Sequence, residues 1–157
     1  MADTIYFLIK TEPSAYSIDD LKRDKTTSWG GVRNYQARNV LRSMKKGDTC
    51  FVYHSSCDVP AVVGEAIVTK EAYPDPLQFD KQSEYYDAGS PQATPRWSAI
   101  ELKFVQKYKQ PLSLTDMKKI PTLATMRLLQ RGNRLSVFPV EMRHALFLQK
   151  RTTRDSA

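Results

Sequence analysis

The segment Ile5-Tyr6-Phe7-Leu8-Ile9-Lys10-Thr11-Glu12-Pro13 decides how the rest of the chain can be arranged. Its first five residues are rich in side chains that favour β-strands, and the run of apolar residues is typical of a strand buried on both sides. Pro13 lacks a backbone N–H, so strand pairing ends there. The segment therefore predicts a buried strand that ends in a polar working edge at residues 10–12.

Helical and strand patterns are mixed along the rest of the chain. A helix is predicted after Ser17, which has the chemistry of an N-cap and is followed by acidic residues in the first turn. A second helix is predicted over residues 35–44, where apolar residues recur at helical spacing. The other predicted elements are strands at 49–55, 61–72 and 97–107, short helices at 114–119 and 122–129, and an amphipathic helix at 140–149. This mixture predicts an α+β domain around a curved sheet.

Residues 73–96 interrupt this regular pattern. They are dense in Pro, Asp, Gly, Ser and Gln, and they contain the cluster Tyr85-Tyr86-Asp87. Loops longer than about 12–15 residues are usually functional or mobile. We interpret the segment as a long excursion within a single domain of residues 1–149, which a loose polar tail follows at residues 150–157.

The composition is that of a globular protein. The chain has 157 residues, of which 41% are hydrophobic and 10% aromatic, and these values exclude a mostly disordered protein. No apolar run approaches the roughly 20 residues that span a bilayer, and the first residues do not resemble a secretion signal. We therefore expect a monomer with no membrane partner, in the cytoplasm or, if the source is eukaryotic, in the nucleus.

Charge and cysteine content narrow the possible partners. Lys and Arg number 24 against 17 Asp and Glu, so the formal net charge is +7, which slightly favours a nucleic-acid partner. Cys50 and Cys57 form no C-x-x-C pair, and His54 and His144 add no zinc-binding spacing. We expect no cofactor and no metal, and cysteines that stay reduced.

A series of motifs runs in order from Tyr6 to Leu148. They are Lys10-Thr11-Glu12-Pro13, Trp29, Gly31-Val32-Arg33-Asn34-Tyr35-Gln36-Ala37-Arg38-Asn39, Lys46-Gly47-Asp48, Tyr53-His54-Ser55, Tyr86-Asp87, Pro95-Arg96-Trp97 and Asn133-Arg134-Leu135-Ser136-Val137. Together they resemble the EVE domain, whose eukaryotic relatives are the thymocyte nuclear protein family. The resemblance implies a PUA-like fold, a mixed β pseudo-barrel with short flanking helices that is related to the YTH and ASCH domains.

The same resemblance implies a non-enzymatic reader of modified bases, above all modified cytosine, in DNA or RNA. Binding residues are then expected within the matching motifs. The candidates are Lys10, Thr11, Glu12, Trp29, Val32, Arg33, Asn34, Tyr35, Tyr53, His54, Ser55, Trp97, Arg134 and Ser136. Two departures from the family pattern are small: Thr11 stands where serine is usual and keeps the hydroxyl, and residues 59–63 replace a more common Pro-Gly-Ile-Val type of loop.

The two tryptophans are candidate walls for an unstacked base. Stacking of a base on an aromatic ring contributes about 1–3 kcal/mol and tolerates any base. Trp29 lies in a glycine-flanked stretch without apolar periodicity, and Trp97 opens a strand on its more polar face, with Arg96 beside it for a phosphate. Each tryptophan could instead cover one end of the core, so both interpretations stay open.

Polar candidates flank the second helix. Asn34 carries a donor and an acceptor on one planar group, which suits the edge of a base, and it could also cap the helix. Helix N-termini present free N–H groups to anions. Arg38 and Arg42 are either phosphate contacts or a solvated helix face.

Strand 49–55 carries a candidate histidine. Alternation places Phe51, Tyr53 and Ser55 on one side and Cys50, Val52 and His54 on the other, and we expect only one side to face the core. His54 could contact a base or a phosphate, or it could be a structural histidine. Ser55, at the strand end, is a candidate polar contact because a hydroxyl both donates and accepts.

Arg134 and Ser136 would point the same way in an extended segment. Arg134 is interpreted either as a phosphate contact or as half of an ion pair with Glu12 or Asp87.

Enzymatic chemistry finds little support in the sequence. The sequence contains no specific pattern of paired carboxylates, metal ligands or a nucleophile with an adjacent base. Cys57, three residues after His54, is only a weak indication of a catalytic thiol. The alternative to a reader is an ASCH-like enzyme that processes nucleic acid or modified nucleosides, and a protein-interaction module is a third possibility.

Overall fold

The computed structural model describes the backbone of residues 5–154 and the side chains of residues 5–150. The strands are β1 (Tyr6–Thr11), β2 (Thr26–Trp29), β3 (Thr49–His54), β4 (Ala61–Pro74), β5 (Ser98–Ser113) and β6 (Val137–Val140). The α-helices are α1 (Ile18–Asp24), α2 (Tyr35–Ser43), α3 (Leu114–Met117) and α4 (Met142–Arg154), and short 3₁₀ helices lie at Pro76–Phe79, Pro121–Leu123 and Arg127–Leu129.

The strands form one mixed sheet in the order β2-β5-β4-β3-β1-β6. β1 and β3 run parallel, with Leu8 opposite Phe51, and the other neighbouring pairs are antiparallel. Trp29 of β2 and Lys10 of β1 line the same cleft, although three strands separate β2 from β1 in the sheet. The sheet therefore curls into an incomplete barrel, which confirms the predicted α+β class with a curved sheet.

Both faces of this sheet are covered by helices. Phe7, on one face of β1, packs in a core that α1 and α2 close, whereas Leu8, on the other face, packs in a core that α3 and α4 close. Burying a large apolar side chain contributes about 1.5–3 kcal/mol, so each face stabilises the fold. The expectation that only one side of strand 49–55 faces a core is wrong. Cys50 and Val52 lie in the first core, and Phe51 and Tyr53 lie in the second.

Several predicted boundaries differ from the structure. The sequence predicts neither β2 nor β6, because a strand of four residues is too short to show alternation. The predicted helix at 122–129 is instead two 3₁₀ helices, since Met126 between them has extended backbone angles. The predicted excursion at residues 73–96 contains the 3₁₀ helix Pro76–Phe79.

The C-terminal helix α4 begins at Met142 and ends at Arg154. The predicted polar tail therefore starts inside α4 at residue 150, and residues 155–157 lie outside the described residues. None of the helices in the described chain has the length and apolarity needed to cross a membrane.

Two helix starts agree with the sequence. Ser17 caps α1 in a capping box with Asp20, whose side chain accepts from the Ser17 backbone N–H. Asn34 caps α2, because its Oδ1 accepts from the Ala37 N–H at 3.0 Å. The second cap fixes the direction in which the chain leaves β2 and enters α2.

Candidate functional site

A cleft of about 540 Å³ lies where the end of β1, the β2–α2 connection and the excursion at residues 73–96 meet. Eight of the predicted site residues line it. They are Lys10, Thr11, Glu12, Trp29, Val32, Arg33, Asn34 and Ser136. Three tyrosine or tryptophan side chains, Tyr16, Trp29 and Tyr85, are also in its walls, so we call it the aromatic cleft.

Trp29 provides a fixed flat surface in this cleft. It is held at the end of β2, opposite Ile100 of β5. The Tyr16 ring meets it edge-on, with centroids 6.4 Å apart and planes at 83°. Tyr16 is itself anchored, because its hydroxyl donates to Asp24 Oδ2 at 2.8 Å. The Trp29 ring therefore packs against a neighbour that is itself hydrogen-bonded to α1.

Asp75 does not line the cleft, but it is a buried residue bonded to Gly31 and Arg33, which do, and the sequence does not indicate this role. It is 1% exposed and accepts from the backbone N–H groups of Gly31 at 2.8 Å and Leu77 at 2.9 Å. Arg33 Nη1 also donates to Asp75, at 3.0 Å, and forms a largely buried ion pair with it. The pair joins the β2–α2 connection to the excursion, and both of these segments contribute residues to the cleft wall.

Arg33 also positions Tyr85. Its Nε and Nη2 atoms donate to the Tyr85 carbonyl at 3.0 and 2.8 Å, and its guanidinium lies 5.6 Å from the centre of the Tyr85 ring. Gly31 has φ +77°, and a Cβ there would lie 3.0 Å from the same ring. Glycine is therefore favoured at this position, mainly for its backbone conformation and also for the close approach of Tyr85.

The polar rim of the cleft is partly committed to the fold. Thr11 Oγ1 donates to the Tyr16 carbonyl at 2.7 Å, and Lys10 donates its backbone N–H to the Ser136 carbonyl at 2.8 Å. Burial lowers the pKa of the Lys10 ammonium, whose Nζ lies 5.8 Å above the Phe138 ring. The cap formed by Asn34 uses its Oδ1 and leaves its Nδ2 donors for another acceptor.

Trp97 does not line the aromatic cleft. It is 6% exposed, its Nε1 donates to Asp87 Oδ2 at 2.8 Å, and its ring stacks on Tyr35 at 4.9 Å. The hydrogen bond from Trp97 is the main reason that the pKa of Asp87 is lowered. The structure therefore does not bring the two tryptophans together as opposite walls, and Tyr35 belongs with Trp97.

Strand β3 contributes its predicted residues to the fold and not to the cleft wall. His54 Nε2 accepts from the Ile18 N–H at 3.1 Å, and burial lowers the pKa of the imidazole. Tyr53 is 4% exposed in the second core, and the Ser55 N–H donates to the Thr11 carbonyl at 3.0 Å. The expected convergence of this strand end on the aromatic cleft does not occur.

The arginines of α2 are hydrogen-bonded to the end of the excursion, although Arg42 is exposed. Arg38 Nη1 donates to the Arg96 carbonyl at 3.2 Å, and Arg42 donates to the Pro95 and Arg96 carbonyls and to Ser98 Oγ. Arg96 lies 3.5 Å from Asp87. These contacts attach the end of the excursion to α2.

Arg134 lies beside a neighbouring cleft, and within residues 5–150 it forms no ion pair with Glu12 or Asp87. Among the side chains that the structure describes, no group of three or more His, Cys, Asp or Glu is arranged to hold a metal ion.

The sequence pattern that defines the EVE domain matches residues 5–151. The chain belongs to the EVE domain family. Thymocyte nuclear protein 1 of Gallus gallus is 44% identical over an alignment of 124 residues, and the match covers 72% of this chain and 51% of that protein. The chain spans about half the length of the curated relatives that it matches.

Two solved structures share its architecture. A crystal structure of human THYN1 in complex with DNA that contains 5-methylcytosine has a TM-score of 0.90 and 37% identity, with 95% of this chain and 98% of that chain covered. A hypothetical protein from Leishmania major has a TM-score of 0.93 and 38% identity, with coverage of 99% and 98%. The predicted PUA-like fold is confirmed for this EVE domain.

Proposed function

We propose that this EVE domain is a non-enzymatic reader that holds one modified base of a nucleic acid in the aromatic cleft. The observation that carries the proposal is the position of Trp29 and Tyr85 in the wall of one cleft of about 540 Å³. Pockets for small ligands are usually about 300–1,000 Å³ and combine apolar walls with a few polar groups. The relative from human, whose structure contains 5-methylcytosine DNA, supports modified cytosine as the first base to test.

The free energies set limits on how selective such a reader can be. Removing a base from its stack costs a few kcal/mol, and one aromatic contact returns about 1–3 kcal/mol. A buried methyl group adds about 0.8 kcal/mol, which corresponds to about a fourfold preference. We therefore expect moderate discrimination between modified and unmodified cytosine, with Asn34 and Thr11 at the polar rim of the cleft contacting the edges of the base.

The hydrogen bonding of His54 supports the non-enzymatic part of the proposal. His54 is the histidine nearest in sequence to Cys57, and its Nε2 accepts from the Ile18 N–H, so this nitrogen is not free to activate a thiol. Incubation with modified nucleosides and oligonucleotides, followed by mass spectrometry, tests the alternative of an ASCH-like enzyme. Any mass change that depends on the protein would contradict a pure reader. DNA against RNA, the monomeric state and the cellular location remain predictions.

Two neighbouring tyrosines provide a matched test of the cleft. Tyr85 lines it and is 38% exposed, whereas Tyr86 is 39% exposed and is not among its lining residues. Trp29→Ala and Tyr85→Ala should each weaken binding of a 5-methylcytosine oligonucleotide by about 1–3 kcal/mol in a fluorescence anisotropy titration. Tyr86→Ala should leave the affinity unchanged. If a folded Trp29→Ala variant binds modified and unmodified strands as the wild type does, the proposal is wrong.

A further inference from the structure

Two more clefts continue from the aromatic cleft along the segment between α3 and β6. The nearer one, of about 350 Å³, shares the residue Asn34 with the aromatic cleft. The farther one, of about 700 Å³, shares Arg127, Gly132 and Asn133 with the nearer one. Among the residues that the structure describes, no tyrosine or tryptophan lines either of them. The two clefts therefore form one continuous groove that begins at the rim of the aromatic cleft.

Three arginines line this groove, and we call them the groove arginines: Arg127, Arg131 and Arg134. All three are exposed, and none makes an ion pair or a side-chain hydrogen bond with any residue of the described chain. One carboxylate lines the groove, that of Glu141 at its far end, and Arg143 Nε donates to it at 2.9 Å. Among the described residues, positive side chains in the groove thus outnumber negative ones, and the single carboxylate is already paired with Arg143.

A buried donor in the same groove lacks an acceptor. Asn133 lines both clefts, and its Nδ2 atom is buried without a hydrogen-bond partner among the described residues. A buried unsatisfied donor destabilises a protein, so an acceptor oxygen supplied by a ligand would be favoured here. Positive charge and a spare donor together are the features of a site for an oxyanion.

We propose that this groove binds backbone phosphates of the nucleotides that flank the base in the aromatic cleft. This inference rests on the proposed function, since it assigns the path of the strand on one side of the bound base. Arginine suits phosphate because its planar guanidinium can donate two parallel hydrogen bonds to two oxygens. Phosphate contacts fix the register of a nucleic acid without reading its sequence. The aromatic cleft would then select the base, and the groove would supply affinity common to all strands.

The test is a triple variant in which Arg127, Arg131 and Arg134 are each replaced by Gln. The probes are a short single-stranded DNA with one central 5-methylcytosine, its unmethylated counterpart and the matching RNA pair. Each phosphate contact contributes about 0.7–0.9 to the dependence of log affinity on log salt, so losing three contacts should lower this slope by about 2–3. Near 50 mM salt the variant should bind at least tenfold more weakly than the wild type, and the ratio of modified to unmodified affinity should not change.

The matched control replaces three lysines that are exposed and do not line the groove, Lys22, Lys46 and Lys103, with Gln. This variant has the same net charge as the arginine variant, so a general effect of charge would appear equally in both. If the two variants show the same affinity and the same salt slope, the groove proposal is wrong.

The outcomes separate this proposal from the proposed function. In one outcome, the wild type prefers the modified strand while the arginine variant keeps the wild-type affinity and salt slope. That result would overturn the groove proposal and retain the aromatic cleft as a reader. No preference in the wild type, together with a selective loss of binding in the arginine variant, would overturn the reader and support the groove. Failure of the wild type to bind any of the probes would overturn both.

Discussion

Two regions of this molecule are rich in arginine, and the structure uses them in opposite ways. In the first region, which comprises the β2–α2 connection, α2 and the end of the excursion, every guanidinium is hydrogen-bonded or ion-paired to another part of the protein. We call its members the clamp arginines: Arg33, Arg38, Arg42 and Arg96. In the second region, between α3 and β6, the groove arginines have no such bonds with described residues.

The difference shows that net charge does not indicate which basic residues are available to a nucleic acid. A clamp arginine must give up hydrogen bonds to carbonyl or carboxylate oxygens before it can bind a phosphate, and a buried acceptor that is left unpaired costs about 1–3 kcal/mol. A groove arginine exchanges only water for the phosphate. Mutations in the first region should therefore change stability, and mutations in the second should change affinity.

The largest expected effect is that of Arg33→Gln. Asp75 is 1% exposed, and Arg33 is its partner in the ion pair. Removing one member of a buried pair leaves an uncompensated charge and typically costs about 3–5 kcal/mol. We expect a loss of this size in the free energy of unfolding, measured by urea denaturation.

Arg23→Gln is the control, because the ion pairs of Arg23 with Asp20 and Asp24 are exposed. Such surface pairs contribute about 0–1 kcal/mol. A loss for Arg33→Gln no larger than that for Arg23→Gln would contradict the division between clamp and groove.

A smaller loss of stability is expected for Arg42→Gln. Arg42 donates to two carbonyls and to Ser98 Oγ, at 3.0–3.3 Å, and these bonds are partly solvated. Net contributions of single hydrogen bonds are about 0.5–1.5 kcal/mol, so the loss in unfolding free energy should be near 1 kcal/mol. The salt dependence of oligonucleotide binding should stay that of the wild type. A reduced salt slope with unchanged stability would move Arg42 into the phosphate-binding set.

The fold was more predictable than the site. Long apolar runs such as residues 5–9 indicate buried strands by themselves, and a residue such as Asn34 before a helical pattern indicates a cap. These signals are local in sequence. Four-residue strands such as β2 carry too little pattern, so their place in the sheet is decided by pairing with distant segments.

The site depends on contacts between segments far apart in the chain. Asp75 lies 42 residues from Arg33, and nothing near it in sequence indicates that it is buried. Trp97 is a residue type that can stack on a base. In the structure, however, its Nε1 donates a hydrogen bond to Asp87 and its ring stacks on Tyr35. For Trp29, the glycine-flanked sequence leaves a core role and a base-stacking role open, and the resemblance to the EVE domain favours the second.

His54, like the clamp arginines, is a candidate binding residue whose side chain is used inside the fold, and it can also titrate. His54 was a candidate ligand contact, but its neutral Nε2 accepts from the Ile18 N–H, and burial lowers its pKa below the ordinary 6.5. When the pH falls below about 6.5, the unfolded chain gains a proton at this position before the folded chain does. The stability that neutral His54 contributes should therefore be fully present above its pKa in the unfolded chain. It should be lost as the pH falls through the lower pKa that His54 has in the folded chain.

The expected change in melting temperature between pH 7.5 and 5.5 is modest, since it arises from one proton. His54→Gln, whose side-chain oxygen can still accept a hydrogen bond, should show less of this change than the wild type. His144 is also buried, and burial lowers its pKa too, so His144→Gln reports the separate contribution of that residue. An unchanged pH profile in His54→Gln would mean that His54 is not held in its neutral form.

The smallest expected effect on stability is that of Arg131 variants. The binding of nucleic acid by these variants is the sharpest test of the groove. Arg131 is exposed and makes no ion pair with described residues, so Arg131→Gln and Arg131→Lys should each change the unfolding free energy by less than about 0.5 kcal/mol. The two variants should differ in how they bind the oligonucleotides. Arg131→Gln should lower the salt slope by about 0.7–0.9, the value of one phosphate. Arg131→Lys keeps the charge, so the slope should stay, and a weaker affinity would show that two parallel hydrogen bonds are lost. If both variants keep the wild-type slope and affinity, Arg131 does not contact a phosphate, and the path of the strand must leave the groove before it reaches this residue.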